Sequence, residues 1–186
     1  MKRVMNRALA ALAAVAAVAC SAPEERIVTG KVMEATADAL LVTHDKMITV
    51  FNIGKADLSE AWGLPAGAPV TVTYTVSKKM FAASRVVCDK TYAGLIGSWV
   101  HPVPGNEQES EGIELQPKGA AASINRATLL YETWGLSEDG RLVLTGKSVG
   151  NGQTIDFADT VEVVRLDDTE LVLSSASGFE ERYTRR

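Results

Sequence analysis

The residue types that most often carry chemistry are scarce in this chain of 186 residues, which holds two histidines and two cysteines. His44 and His101 are far apart, and neither has a Cys, His or carboxylate at the spacing of a zinc or copper site. No Gly-x-Ser-x-Gly motif presents a serine nucleophile. Gly150-Asn151-Gly152 separates two strand-like runs, which indicates a hairpin and not a phosphate-binding loop. We therefore expect no enzymatic activity, no cofactor and no metal site.

Cys20 follows a segment that is typical of a secretory signal. Lys2, Arg3 and Arg7 precede an apolar run of 11 residues, Ala8 to Val18. A helix needs about 20 residues to cross a bilayer. The full chain has 19 basic and 23 acidic residues, and removal of the three basic residues leaves 16 against 23. This excess of acidic residues argues against nucleic-acid binding, which requires a clustered basic surface.

The sequence Ala17-Val18-Ala19-Cys20 resembles the lipobox of bacterial lipoproteins. The resemblance implies that residues 1–19 are a lipoprotein signal peptide and that Cys20 carries acyl chains such as palmitate, which anchor the mature chain to a membrane. An ordinary signal peptide that ends near a cysteine is the alternative. Ser21 stands where an Asp would retain a lipoprotein in the inner membrane, so the resemblance implies the outer membrane. It leaves open which face of that membrane displays the protein.

Cys88 is the second cysteine of the chain. If Cys20 is lipidated, Cys88 has no partner for an internal disulfide. It ends the strand-like run Ser84–Cys88, in which a free cysteine behaves as a small buried hydrophobe. We expect Cys88 to be buried and inert.

Alternation of polar and apolar residues predicts strands throughout the first half of the mature chain. In Val70–Val76, valines and a tyrosine share one face and threonines share the other. Four further runs have the same character: Arg26–Glu34, Leu40–His44, Ile48–Ile53 and Met80–Cys88. Asp57–Trp62 is expected to form one helical turn that ends before Gly63-Leu64-Pro65. Five strands with a small helix between the third and fourth predict an OB-like barrel over residues 26–90, after a tether of residues 20–25.

The second half, residues 91–186, contains eight further strand-like runs separated by turn residues. They are Leu95–Val100, Gly112–Leu115, Ala120–Ser123, Leu130–Leu136, Arg141–Gly150, Thr154–Arg165, Glu170–Ser174 and Phe179–Thr184. Glu138-Asp139-Gly140 permits the positive backbone angles of a tight hairpin. The expected fold class is therefore all-β, with a five-stranded OB-like barrel followed by an eight-stranded antiparallel barrel.

Several stretches of the second half resemble one family. Gly97-Ser98-Trp99 matches the Gly-x-Trp at the start of lipocalins, and residues 95–105, 144–154 and 181–185 look like the lipocalin-like domain of bacterial envelope lipoproteins. The resemblance covers residues 92–186 and implies a lipocalin-like barrel. An OB-like barrel joined to a lipocalin-like barrel is also similar to the NlpE lipoproteins. The domain order differs here and the Cys-x-x-Cys of that family is absent, so copper and redox chemistry are not implied.

The resemblance also implies structural roles. In lipocalins the Trp of the Gly-x-Trp motif packs across the closed end of the barrel, beneath an Arg from near the last strand. Here this implies that Trp99 is paired with Arg182 or Arg185, by stacking of a guanidinium on an indole. We assign structural roles to Gly97, Trp99 and Arg182.

Three polar features of the second half have two interpretations each. The proline- and acid-rich segment Pro102–Glu111 either gates a ligand or meets a partner, or is an ordinary solvated loop, which we favour. His101, which precedes it, is expected to be solvated too. Asp159 shares one side of its strand with Phe157 and Val161, and a carboxylate inside a barrel is costly unless it is paired. We expect a bulge that turns Asp159 outward; the alternative is a polar group inside a pocket.

The leading functional hypothesis is a non-enzymatic outer-membrane lipoprotein whose second barrel binds a small apolar or amphipathic ligand. Trp134, Tyr131, Leu142 and Leu144 are the candidate ligand-binding residues. The alternative is a protein-interaction or envelope-stress-sensing module with no small ligand. The basic and aromatic strand face that binds nucleic acid in other OB barrels is missing. The expected partners are a membrane, a small hydrophobic ligand or an envelope protein.

Overall fold

A computed structural model describes residues 23–186, which form two β-barrels in succession along the chain. The first contains six strands: β1 (Arg26–Ala35), β2 (Ala39–His44), β3 (Met47–Asn52), β4 (Asp57–Glu60), β5 (Pro69–Ser77) and β6 (Met80–Cys88). The second contains eight: β7 (Gly97–Val103), β8 (Asn106–Leu115), β9 (Ala121–Ile124), β10 (Leu129–Leu136), β11 (Leu142–Gly150), β12 (Gln153–Leu166), β13 (Glu170–Ser174) and β14 (Glu180–Arg185). The all-β prediction is confirmed. The predicted signal peptide and Cys20 lie outside the described residues.

Five strands close the first barrel, in the order β3-β2-β1-β5-β6, with β6 pairing back to β3. The closing pair runs parallel and places Phe51 beside Phe81. The rings of Phe51, Tyr74 and Phe81 lie 5.0–5.9 Å apart between centroids. Such aromatic contacts bury a large apolar area, and they stabilise a junction that no hairpin connects. This is the predicted five-stranded OB-like barrel.

The segment Asp57–Trp62 does not form the helical turn predicted from the sequence. Its first four residues are β4, which pairs in parallel with β6. The Asp57 carboxylate accepts a hydrogen bond from the Ser59 amide at 3.0 Å, and Glu60 forms an ion pair with Arg85 of β6. Side chains of Asp and Ser that bond to nearby backbone compete with helix formation, which accounts for the extended conformation.

A short helix, α1 (Lys90–Leu95), joins the two barrels. The Asp89 side chain caps it by accepting a hydrogen bond from the Tyr92 amide at 2.7 Å. The sequence pattern assigned Leu95 to the following strand, whereas the structure ends the helix there and begins β7 at Gly97. Within residues 23–186, no helix is long and apolar enough to cross a membrane.

The second barrel is an antiparallel sheet in the order β10-β11-β12-β13-β14-β7-β8-β9. Its two outer strands, β9 and β10, come together at a backbone bridge between Ala120 and Thr133. Beyond the bridge the Ser123 hydroxyl donates to the Leu129 carbonyl at 2.5 Å and accepts from the Tyr131 amide at 2.8 Å. A side chain thus replaces backbone pairing along this seam, and the barrel is nearly closed.

The segment Pro102–Glu111 is part of a β-hairpin and not the solvated loop predicted from the sequence. β7 and β8 flank a turn of Pro104-Gly105, in which Gly105 has a φ of 84°, a value that favours glycine. β14 pairs with β7 only as far as Val100. Pro102 lies beyond that pairing. Proline has no N–H to donate, and no hydrogen bond to β14 is required at this position.

One hydrophobic core runs through both barrels. At the junction Tyr92 stacks on Trp134 of β10, with ring centroids 4.5 Å apart. The Lys118 amide donates to the Ala66 carbonyl at 2.7 Å. Cys88 is buried at the end of β6, as predicted, and burial raises the pKa of its thiol to about 11. The first barrel therefore packs against the end of the second at which β7 begins.

Candidate functional site

The second barrel contains a cavity of about 550 Å³. It opens at the end where residues 175–179 join β13 to β14, and side chains fill the opposite end, next to the first barrel. We call these the open end and the closed end. Apolar side chains form much of the wall: Ile113, Leu129, Leu144, Val161 and Leu173.

Trp99 fills the closed end and is fully buried. Its Nε1–H donates to the Leu95 carbonyl at 2.7 Å. The guanidinium of Arg185 lies 4.0 Å from the centroid of the indole. Arg185 also donates to the carbonyls of Ile96 and Gly94, each at 2.7 Å. This arrangement fixes the link from α1 to β7 under the last strand.

Arg185, and not Arg182, is the arginine over Trp99. The two arginines are three residues apart on β14 and therefore point to opposite faces of the strand. Arg182 is 65% exposed and pairs with Glu170 at 3.7 Å. Gly97 leaves room for Arg185, because a Cβ at this position would lie 2.5 Å from Nη1 of the arginine. Its φ of 142° also favours glycine.

Arg126 brings a positive charge to the wall of the cavity, and its side chain is 11% exposed. Its Nη2 lies 2.7 Å from Nε2 of His101 and 3.6 Å from a carboxylate oxygen of Glu111. Its Nε is buried, and no hydrogen-bond partner within residues 23–186 reaches it. Burial acts to lower the pKa of Arg126, but the phenols and carboxylates around it raise the pKa overall. Arg126 is thus a fixed cation with an unused donor.

His101 is half-buried in the barrel wall and not solvated as the sequence suggested. Its ring meets that of Tyr183 edge-on, with centroids 5.1 Å apart. Nδ1 lies 3.0 Å from the Pro102 carbonyl, to which it donates, while Nε2 accepts from Arg126. These two bonds select a neutral tautomer, and His101 serves to hold the guanidinium in place.

Two carboxylates, Asp159 and Glu181, also line the cavity. The Tyr183 hydroxyl donates to Glu181 at 2.7 Å. Burial, together with this bond, holds the pKa of Tyr183 well above its usual range. β12 pairs with β11 in unbroken register through Asp159, opposite Leu144, so the predicted outward bulge is wrong. Asp159 stands exposed at the open end, where water offsets the cost of burying a carboxylate.

The candidate ligand-binding residues divide between the two ends of the barrel. Tyr131 and Leu144 line the cavity. Trp134 and Leu142 lie nearer the closed end, where Trp134 stacks on Tyr92 and Leu142 is fully buried. Both belong to the packed core because β10 ends, and β11 begins, at the closed end.

Sequence reasoning missed Arg126 and Glu181. Glu181 had a signal, because it alternates with Tyr183 on the inward face of β14. Arg126 had none, since it follows a turn at Asn125, whose φ is 53°, between β9 and β10. In the described part of the chain, no three His, Cys, Asp or Glu side chains are grouped so that they could hold a metal ion.

Comparison with known proteins gives two matches. Residues 91–186 match the model of a family described as Lipocalin-like, and this range includes the whole lining of the cavity. A crystal structure of a lipocalin-like protein from Bacteroides thetaiotaomicron VPI-5482 is 49% identical, with a TM-score of 0.46. The match covers 50% of this chain and 96% of that one. No curated protein matches the chain.

Proposed function

The chain belongs to the lipocalin-like family through residues 91–186, and we propose on this premise that its second barrel binds a small amphipathic molecule. The observation that carries the proposal is the cavity of about 550 Å³ at the open end. Small-molecule sites are typically concave and largely apolar, with a few fixed polar groups and volumes of about 300–1,000 Å³. A barrel whose lumen is filled by its own side chains would offer no such site.

The distribution of polar groups indicates how the ligand lies. The apolar wall receives the hydrophobic part of the molecule, which gains about 25 cal/mol per Å² of surface removed from water. Arg126, Tyr131, Asp159 and Glu181 offer both donors and acceptors to its polar part. This mixture suits an amphipathic ligand better than a pure hydrocarbon, because hydrocarbon contact would leave their unused donors and acceptors, such as the Arg126 Nε, without partners.

The protein is, in this proposal, a non-enzymatic lipoprotein of the outer membrane that is anchored through Cys20. The support is the sequence alone: a basic start, a short apolar run, small residues before the cysteine, and Ser21 after it. The joining of an OB-like and a lipocalin-like barrel adds a resemblance to the NlpE lipoproteins.

Native mass spectrometry of the gently purified mature protein tests the ligand proposal. A stoichiometric adduct is expected, and solvent extraction then identifies it. Val161→Trp fills the cavity and is expected to abolish the adduct. Val164→Trp is the matched control, because Val164 lies on the same strand and is 50% exposed.

A bare mass for the wild-type protein, or an adduct that survives Val161→Trp, contradicts the proposal. Loss of the adduct in both variants means that the substitution disturbed the fold, and Tyr131→Phe then tests the polar contact alone. A bare mass would favour the protein-interaction alternative.

Labelling of growing cells with a palmitate analogue tests the anchor. The wild-type chain is expected to incorporate the label and to fractionate with the outer membrane. Cys20→Ala is expected to lose the label, and Cys88→Ala, the matched control, to retain it, because Cys88 is buried. Labelling that persists in Cys20→Ala would refute the proposed anchor site.

A further inference from the structure

A hairpin turn lies at the end of the first barrel where the chain enters. β1 begins at Arg26, which pairs with Tyr74 near the end of β5. The β5–β6 turn, Lys78-Lys79, is therefore at this same end. The β2–β3 turn, Asp45-Lys46, points in the same direction along β1, and it borders a groove that Gly67 and Lys118 also line. The second barrel continues from the opposite end, after Cys88.

Exposed apolar side chains surround these turns. They are Met47, Ile48, Val50 and Met80, each between 53% and 65% exposed. Because the parallel pairing of β3 and β6 sets Phe51 beside Phe81, the preceding residues, Val50 and Met80, are neighbours on the outer face. We call these four residues the entry-end patch. Ile48 lies on the same face of β3 as Val50, and Met47 begins the strand. An exposed apolar patch on a soluble protein is a candidate interaction site.

The lysines beside the entry-end patch are held in an unfavourable backbone conformation. Lys78 and Lys79 have φ values of 49° and 67°. Positive φ at both central residues defines the hairpin turn that Asn-Gly suits best, and side chains with a Cβ are strained there. Lys46, in the other turn, has a φ of 63°. Residues that break a local rule are expected where function requires them. Asp45, beside Lys46, has a φ of 46° as well, so the two turns together carry three ammonium groups and one carboxylate.

We propose that the entry-end patch, with Lys46, Lys78 and Lys79, docks on an anionic lipid surface. The ammonium groups face lipid phosphates, and the apolar side chains enter the boundary between headgroups and acyl chains. The location rests on the anchor proposed above. Cys20 and Arg26 are six residues apart, a span of at most about 20 Å. An acylated Cys20 therefore brings this end of the barrel to the membrane.

Cosedimentation with vesicles tests the docking surface on the whole mature chain from Ser21 onward, without acyl chains. Binding is expected to vesicles that contain phosphatidylglycerol and not to phosphatidylcholine alone, and to weaken at high salt. The double variant Lys78→Asn with Lys79→Gly is expected to bind about 30-fold more weakly, since each basic residue near an anionic membrane contributes about fivefold. Its melting temperature is not expected to fall, because Asn-Gly suits the turn.

Two controls match these changes elsewhere on the surface. Lys55→Asn removes a lysine from an exposed turn between β3 and β4, and is expected to leave binding unchanged. Met80→Gln is expected to weaken binding, and Ile155→Gln is not, although Ile155 on the second barrel is 60% exposed. Equal binding by wild type and the Lys78/Lys79 variant overturns the proposal.

Failure of this proposal is distinguishable from failure of the anchor. The vesicle assay needs no acyl chain, so an absence of vesicle binding refutes the docking surface whatever the labelling of Cys20 shows. In that case the entry-end patch is left to a protein partner. Loss of labelling with retained vesicle binding refutes the anchor and keeps the lipid-binding surface.

Discussion

Arg185 connects three segments that are distant along the chain. Its guanidinium covers the indole of Trp99 and donates to two carbonyls at the end of α1. Its Nε donates to the Asp168 carbonyl, in the β12–β13 turn, at 3.0 Å. Hydrogen bonds from a charged group contribute about 1.5–3 kcal/mol each. Truncation would leave these carbonyls and the indole without their partner.

We expect Arg185→Ala to lower the free energy of unfolding by about 3 kcal/mol, because several charge-assisted bonds and the stacking contact are lost together. Urea titration of the mature protein measures the change. Arg182→Ala is the matched control on the same strand, and is expected to change stability by less than about 0.5 kcal/mol because exposed ion pairs contribute little. Equal effects of the two substitutions would show that the stacking on Trp99 has no special role.

Cys88 predicts a pH dependence of stability. Burial raises the thiol pKa from an ordinary 9.0 to about 11 in the folded protein. Between these values the unfolded chain has lost the proton and the folded protein has kept it, so the free energy of unfolding falls as pH rises. The slope contributed is at most about 1.4 kcal/mol per pH unit. Titrations with urea at several pH values are expected to show a shallower fall for Cys88→Ala, and identical slopes would contradict the shift.

Single residues of the site were only partly predictable from the sequence. Tyr131 and Leu144 follow from strand alternation, which assigns a face but not a depth along the barrel. For the same reason Trp134 and Leu142 were grouped with them although they lie near the closed end. Arg126 enters from a loop, where no period exists to indicate its direction.

At the scale of elements, the seam between β9 and β10 has a single backbone bridge, between Ala120 and Thr133. Backbone pairing there is replaced by the Ser123 hydroxyl, which joins the Leu129 carbonyl to the Tyr131 amide. Since Leu129 and Tyr131 both line the cavity, opening of this seam would also widen the cavity.

We expect Ser123→Ala to lower the free energy of unfolding by about 1–2 kcal/mol, because it leaves a donor and an acceptor of the seam without their partner. The Tyr131 amide is expected to exchange with solvent deuterium faster than in the wild-type protein. Ser148→Ala is the control, because Ser148 is exposed on the neighbouring strand β11. Unchanged protection of the Tyr131 amide would show that the seam is held by other contacts.

Elements were predictable where the polar and apolar residues alternate strictly. β5 and β11 show this pattern over most of their length and were found with bounds close to those observed. β4 was not, because four exposed residues carry no alternation, and a parallel contact with β6 decides their conformation. The hairpin around Pro104-Gly105 was missed because β8 begins with exposed polar and acidic residues, which show no alternation.

At the scale of the whole molecule, the two barrels pack against each other around Tyr92, Trp134 and Gly67. The chain enters at one end of the first barrel, the second barrel packs by its closed end against the other, and the cavity opens on the far side. If the entry-end patch docks on a membrane as proposed, the first barrel separates the lipid from the cavity. This arrangement requires a rigid junction between the barrels.

Trp134 tests whether that junction is rigid. It stacks on Tyr92, whose hydroxyl lies against Gly67 of the first barrel: a Cβ at Gly67 would come within 2.5 Å of it. Trp134→Ala is expected to lower the free energy of unfolding by about 3–5 kcal/mol, and to speed amide exchange in β5 of the first barrel as well as in β10. Trp62→Ala, at an indole that is 46% exposed, is the matched control and should do neither.

The effect of Trp134→Ala on β5 depends on whether the two barrels unfold together. If they form one cooperative unit, a cavity at Trp134 raises the population of globally unfolded chains, and every strand that exchanges through global unfolding loses the same protection. If the barrels unfold separately, exchange quickens in β10 and stays unchanged around Val72 of β5. The second outcome would make the junction a hinge, and the orientation of the cavity relative to the first barrel would then not be fixed by the fold.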